Sequence, residues 1–139
     1  MKYNNSDKWE RLKSIYYDKK LQWDIKNNYN LNINLQKNNV HIIGTKEYQR
    51  ELLKRRDFSI LTIDSNRVQE IINEYAGNGL IQRRNGIFAN KELVILNDDI
   101  GYVIDITGVK TDTNRAYIHY SKTGAHLVPT LKGSDNNAS

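Results

Sequence analysis

The stretch Ile118-His119-Tyr120-Ser121-Lys122-Thr123-Gly124-Ala125-His126-Leu127-Val128-Pro129 carries two alternating runs around a turn, and its pairing decides the fold. Ile118, Tyr120 and Leu127 alternate with His119, Ser121 and His126, the period-two pattern of strands with one face in a core. With Thr123–Gly124 as a two-residue loop, Lys122 faces Ala125, Ser121 faces His126, and His119 faces Val128. Opposed side chains share a face, so His119, Ser121 and His126 are expected together, with Ile118, Tyr120 and Leu127 on the core side. A four-residue loop keeps this arrangement. A three-residue loop, Lys122 to Gly124, turns His126 to the other face.

Working outward, the runs 86–89, 92–96, 101–106, 116–121 and 126–130 are short and β-like. Asn85–Gly86, Asn97–Asp98–Asp99, Thr107–Gly108 and Thr123–Gly124 punctuate the segment as turns. Upstream the period changes. Asp64 caps the clearest helix, with Val68, Ile71, Ile72 and Tyr75 at i, i+3, i+4 and i+7, and Gly77–Asn78–Gly79 ends it. Ser59 to Ile63 is a short strand or extended connector. Gly44–Thr45 forms a turn and cap for a helix that points Tyr48, Leu52 and Leu53 inward. The asparagine-rich stretch from Asn27 to Asn39 alternates Leu31, Ile33 and Leu35 with Asn32 and Asn34, as a half-buried strand or extended arm does. Ser6 and Asp7 are positioned to cap a first helix carrying Trp9, Leu12, Ile15 and Tyr16 and fading near Lys20. Helices followed by hairpin strands make the class α+β, with N-terminal helices packed on a C-terminal antiparallel sheet. Residues 133–139 are small and polar, and a disordered tail is expected there.

The 139 residues suffice for one core, and no apolar run approaches the roughly 20 needed to cross a bilayer. Met1 to Asp7 lack the apolar stretch of a secretory signal, so any export address is expected elsewhere in a longer parent chain. Absence of cysteine removes disulfides, thiol nucleophiles and cysteine metal sites. The net charge is +5, and Lys19–Lys20, Lys54–Arg55–Arg56 and Arg83–Arg84 spread it over separate clusters, which suits a polyanionic partner.

Three histidines, His41, His119 and His126, carry the chemical interest. With an ordinary pKa of about 6.5, one imidazole can take the proton of a ribose 2′-hydroxyl while another protonates the departing 5′-oxygen. Lys122 and Ser121 are candidates to stabilise charge on the non-bridging oxygens. Tyr117 shares the alternation of His119 and Ser121, a place from which an aromatic ring can border the cleft. The same residues also suit plain strand and hairpin-tip roles, or a three-histidine zinc site, although no zinc-protease helix motif accompanies them.

The terminal segment resembles the closing signature of the polymorphic toxin type 50 family, whose members end phage minor capsid proteins and bacterial secreted toxins. An upstream block, Lys37-x-x-x-His41-Ile42-x-Gly44-Thr45 with Tyr48, resembles the family's corresponding segment, and weaker agreement occurs at Ser59, Gly77–Asn78–Gly79 and Ile100–Gly101. The resemblance runs from about Leu31 to Pro129. It implies a fold like the barnase–EndoU–colicin–RelE group, with helices on a sheet of about four strands, and an RNase that uses no metal or cofactor. Carried to this chain, the implied site is His41, Thr45, His119, Ser121, Lys122 and His126. Thr45 is equally well explained as an N-cap. Asn38 and Val40 stand where the family more often has glutamine and lysine, and Ala125 stands where it usually has threonine, as natural variation or as a disarming substitution.

The expected organisation is an N-terminal helical extension (1–30), an RNase toxin domain (31–132) and the tail (133–139). The expected substrate is RNA, tRNA among the candidates, and the expected partner is an acidic immunity protein, without membrane anchoring. Delivery as the C-terminal part of a larger protein, with action in a target cell's cytoplasm, goes with that class. A non-catalytic nucleic-acid-binding or capsid accessory domain is the alternative, and a DNase a further one.

Overall fold

The computed structural model describes residues 15, 16 and 18–132. Four short polar residues start the four helices found there. Asp18 caps α1 (Lys19–Asn28), Asn34 caps α2 (Leu35–Asn39), Thr45 caps α3 (Lys46–Leu52) and Asp64 caps α4 (Ser65–Tyr75). Each side chain accepts from the backbone N–H three residues on, at 2.8 to 3.1 Å, which satisfies a donor the helix leaves unpaired.

Strand β1 (Ile15–Tyr16) pairs with β3 (Leu80–Arg84), which pairs with β4 (Ile87–Ile95), then β7 (Arg115–Ser121), then β8 (Gly124–Thr130), all antiparallel. A second sheet joins β2 (Phe58–Leu61), β5 (Gly101–Ile104) and β6 (Lys110–Thr113). The α+β class therefore holds, with four substantial strands and a two-residue edge in the main sheet. One face, with Ala116, Ile118, Tyr120, Ala125 and Leu127, packs with Val68, Ile71 and Ile72 of α4 and Ile25 of α1 in a single core. Glu92 lies fully buried in the same region. Its carboxylate accepts from Gly77 N (2.9 Å), Gly79 N (2.6 Å) and the Tyr120 hydroxyl (2.6 Å), tying the end of α4 to the sheet.

Several elements differ from the sequence reading. The expected first helix lies mostly outside the described residues, and its end, Ile15–Tyr16, is strand. A helix begins where that one was to fade, because Asp18 supplies the cap. The arm is extended only around Ile33, in a single parallel bridge to Ala125. Asn27 and Asn28 complete α1, and Asn34 starts α2, leaving Leu35 52% exposed. In α3, Leu52 and Leu53 are 41% and 88% exposed rather than inward. Tyr48 makes the inward contact, its ring 5.9 Å from Phe58, and the helix ends before Leu53, which lies off that face. Strands β3 and β6 were not anticipated, and the runs 86–89 and 92–96 are one strand, β4, whose pairing with β3 shifts between Gln82 and Arg83. The tail expected over residues 133–139 lies outside the described residues.

The closing hairpin turns through Lys122–Thr123 instead of Thr123–Gly124. Ser121 opposes Gly124, Tyr120 opposes Ala125, and His119 opposes His126 rather than Val128. The arm causes this. Asn32 O accepts from Ala125 N (2.9 Å) and Asn34 N donates to Ala125 O (2.7 Å), so Gly124 and Ala125 are held as strand. Gly124, at φ +125°, lies so close that a Cβ there would sit 2.3 Å from Asn32 O. The pairing moves by two residues, so every side chain keeps its face.

Candidate active site

Consecutive pairings Gln82–Lys91, Lys91–His119 and His119–His126 place four side chains in one row across β3, β4, β7 and β8. The row occupies the face opposite α4, since its members alternate with Ile81, Glu92, Ile118 and Leu127. The rings of His119 and His126 have centroids 4.9 Å apart and are tilted by 49°. His41, in the turn after α2, extends the row. Its ring lies 5.9 Å from that of His126 and nearly parallel, at 13°.

Strand β2 fixes His41 twice. The backbone carbonyl of His41 accepts from Leu61 N (2.8 Å), and its ring Nδ1 donates to Ser59 O (2.8 Å). A carbonyl oxygen can only accept, so the proton sits on Nδ1, and the neutral ring presents an Nε2 lone pair.

Burial, with neighbouring positive charge adding to it, pushes all three imidazoles toward the neutral form. His119 is lowered to about 3, by burial first and then by His126, Lys91, His41 and Lys37. His126 is lowered to about 4, by burial and then by His41 and Lys37. His41 is lowered as well, chiefly by burial, against the opposing pull of the Ser59 carbonyl. At neutral pH the three imidazoles therefore carry little charge of their own, while Lys91 and Lys37 stand close enough to act on them.

The remaining expected residues lie variously. Tyr117 is beside the row, its ring 6.4 Å from His119, buried, with its hydroxyl donating to Gln82 Oε1 (2.8 Å). Ser121 is on the same face two residues along the strand, about 7 Å further. Its hydroxyl bonds Gly124 O (3.0 Å) and pairs with Thr123 Oγ1 (3.1 Å). Lys122 occupies the exposed tip, where its carbonyl accepts from Asn30 Nδ2 (3.2 Å); the charges acting on His119 and His126 are those of Lys91 and Lys37. The Thr45 hydroxyl is engaged in its turn, bonded to Asn39 O (2.6 Å) and Ile42 O (2.9 Å) while capping α3. Sequence reasoning overlooked Lys91 and Gln82, which only the strand register brings to the histidines. Lys37 was visible as the first residue of the upstream block. Asn38, fully buried, accepts from Leu127 N (3.2 Å) and so ties α2 to the strand that carries His126. Among the described residues, no three His, Asp or Glu side chains are arranged to hold a metal ion.

An α+β domain whose sheet displays a row of imidazoles with nearby lysines is a scaffold suited to acting on phosphate esters. The family model described as Bacterial toxin 50 matches residues 33–129, well over half of the chain, and the chain belongs to that family. It is accordingly a toxin domain. Searches of curated proteins and of solved structures find no match to it. The matched span begins in the arm and ends in β8, leaving α1 outside although Ile25 is part of the core. No helix among the described residues is long and apolar enough to cross a membrane.

Proposed function

We propose that this toxin domain is a metal-independent endoribonuclease. The observation that carries the reading is the row His41–His126–His119, three imidazoles within reach of one phosphodiester. His119 and His126 form the acid–base pair. One takes the proton from the ribose 2′-hydroxyl as the 2′-oxygen bonds to phosphorus; the other, protonated, gives its proton to the 5′-oxygen as the P–O5′ bond breaks. The products are a 2′,3′-cyclic phosphate and a 5′-hydroxyl. His41, protonated at Nε2 once the anion is beside it, holds the phosphate, with Ser121 and Lys122 at the hairpin end, and Thr45 and Tyr117 shape the substrate-binding surroundings.

Bound phosphate favours the reaction through the same electrostatics that keep the imidazoles neutral. An anion over the rings offsets their repulsion and raises their proton affinity, so the acid is charged when substrate is present. RNA, with tRNA as one candidate, supplies the required 2′-hydroxyl; DNA does not. Such a domain acts where RNA is, in the cytoplasm of a target cell, and its producer needs a neutralising partner. An acidic immunity protein covering the basic face fits the net charge of +5.

The test is incubation of the chain with labelled tRNA and with DNA, followed by mapping of the ends. Cyclic-phosphate and 5′-hydroxyl ends on RNA, unaffected by EDTA and abolished in folded His119→Ala and His126→Ala variants, are expected. Full cleavage by both variants would sink the acid–base assignment. Inhibition by EDTA with rescue by zinc would move the reading to a metal site, and salt-sensitive binding without product would leave a binding module.

A further inference from the structure

Lys91 is a half-buried cation facing groups that themselves gain positive charge on protonation. It pairs directly with His119 across β4 and β7, and with Gln82 across β3 and β4. Its ammonium lies 5.5 Å from the Tyr117 ring centroid, on the ring whose hydroxyl Gln82 holds. No carboxylate forms an ion pair with Lys91 among the described residues. Burial first, and Arg84 second, push its pKa down, and Lys91 in turn helps to depress His119. Gln82 is fully buried and its Nε2 has no hydrogen-bond partner, so this end of the row holds an unpartnered donor as well as a cation. A desolvated cation set against like-charged neighbours is costly unless an anion settles there.

We propose that Lys91 is a catalytic residue whose ammonium donates to a non-bridging oxygen of the phosphodiester beside His119. This rests on the RNase reading above and moves the charge-stabilising role from the hairpin tip into the sheet. The 2′-oxygen's attack adds charge to the phosphoryl oxygens, and a fixed cation at 91 meets it in a partly water-excluded place. Gln82 is a positioning residue. It anchors the Tyr117 hydroxyl and thereby the ring face over which the Lys91 ammonium lies.

The test uses the full chain with Lys91→Met and Lys91→Arg, and with His119→Ala as reference. Cleavage of RNA is measured beside titration with inorganic phosphate, followed through the histidine ring resonances. Lys91→Met should lower kcat on the order of 100-fold, weaken phosphate at least about tenfold, and raise the titration midpoint of His119 because a neighbouring positive charge is gone. Lys91→Arg, which keeps the charge, should recover much of each and serves if the methionine variant fails to fold. Parent-like cleavage and phosphate affinity in folded Lys91→Met would overturn the proposal while leaving the histidine mechanism standing. Full cleavage by His119→Ala would instead take His119 out of the acid–base pair, and the phosphate titration would then decide on its own whether Lys91 holds an anion.

Discussion

His119 and His126 face each other across two strands in a half-buried place; burial lowers the proton affinity of both, and His126 lowers that of His119 further. Acid–base catalysis needs one neutral and one charged. With values of about 3 and 4, the free protein holds that mixture best on the acid side and loses it toward neutrality. Substrate anions raise both values, so kcat should peak at higher pH than kcat/KM. Profiles from pH 3 to 8 check this, and coincident peaks near 6.5 would contradict it. The same shifts act on stability. The unfolded chain binds protons at these histidines near pH 6.5, and the folded chain only near 3 to 4, so folding loses support as pH falls through that window. Melting temperature should drop from pH 7 to 4, and drop less in a His119→Gln, His126→Gln double variant. Ala125 departs from the family pattern, in which threonine is usual. It is fully buried, on the face opposite the imidazoles. Ala125→Thr should leave cleavage rates within about threefold and lower stability by about 1–3 kcal/mol, the cost of a buried hydroxyl without a partner; a large gain in activity would instead mark alanine as the disarming change.

Elements differ in how openly the sequence announces them. Helix α4 was legible because four apolar residues repeat at helical spacing between a cap and a glycine stop. Helix α1 was not, since Lys19–Asn28 buries only Ile25 and Gln22 and otherwise looks like polar linker. Strand β3 hid for a similar reason: Gln82 is buried although polar, and Arg83–Arg84 suggested surface. In the hairpin, alternation fixed which side chains share a face, but the direct opposition of His119 and His126 depends on an arm about 90 residues earlier docking on Gly124. No local pattern contains that. Lys91 was illegible for a related reason, because its place beside His119 follows from register across two strands. Gly124→Ala tests the arm's role. A Cβ there meets the Asn32 carbonyl at 2.3 Å, so the arm should detach, with a loss of more than about 1 kcal/mol. Amide exchange at Asn34 and Ala125 should quicken; unchanged protection would show that the arm is not what sets the hairpin.

At the scale of the molecule, one polar network and one core join parts far apart in the chain. Gln22 Nε2 donates to Gly79 O (2.6 Å), next to the glycine amides that Glu92 gathers, and Ile25 fills the space beneath. Through Ile25 and Gln22, α1 packs against the same core as the strands that carry the histidines. Residues 33–132 alone should melt well below 15–132, because removing α1 uncovers apolar surface and strips Gly79 O of its donor; equal melting curves would show α1 to be dispensable.

For anyone exchanging such warheads between carrier proteins, that helix moves the sensible cut site. Splicing at residue 33, where family likeness starts, would hand over a sheet with its lid left behind, whereas a join placed before Ile15 carries the closed body across intact.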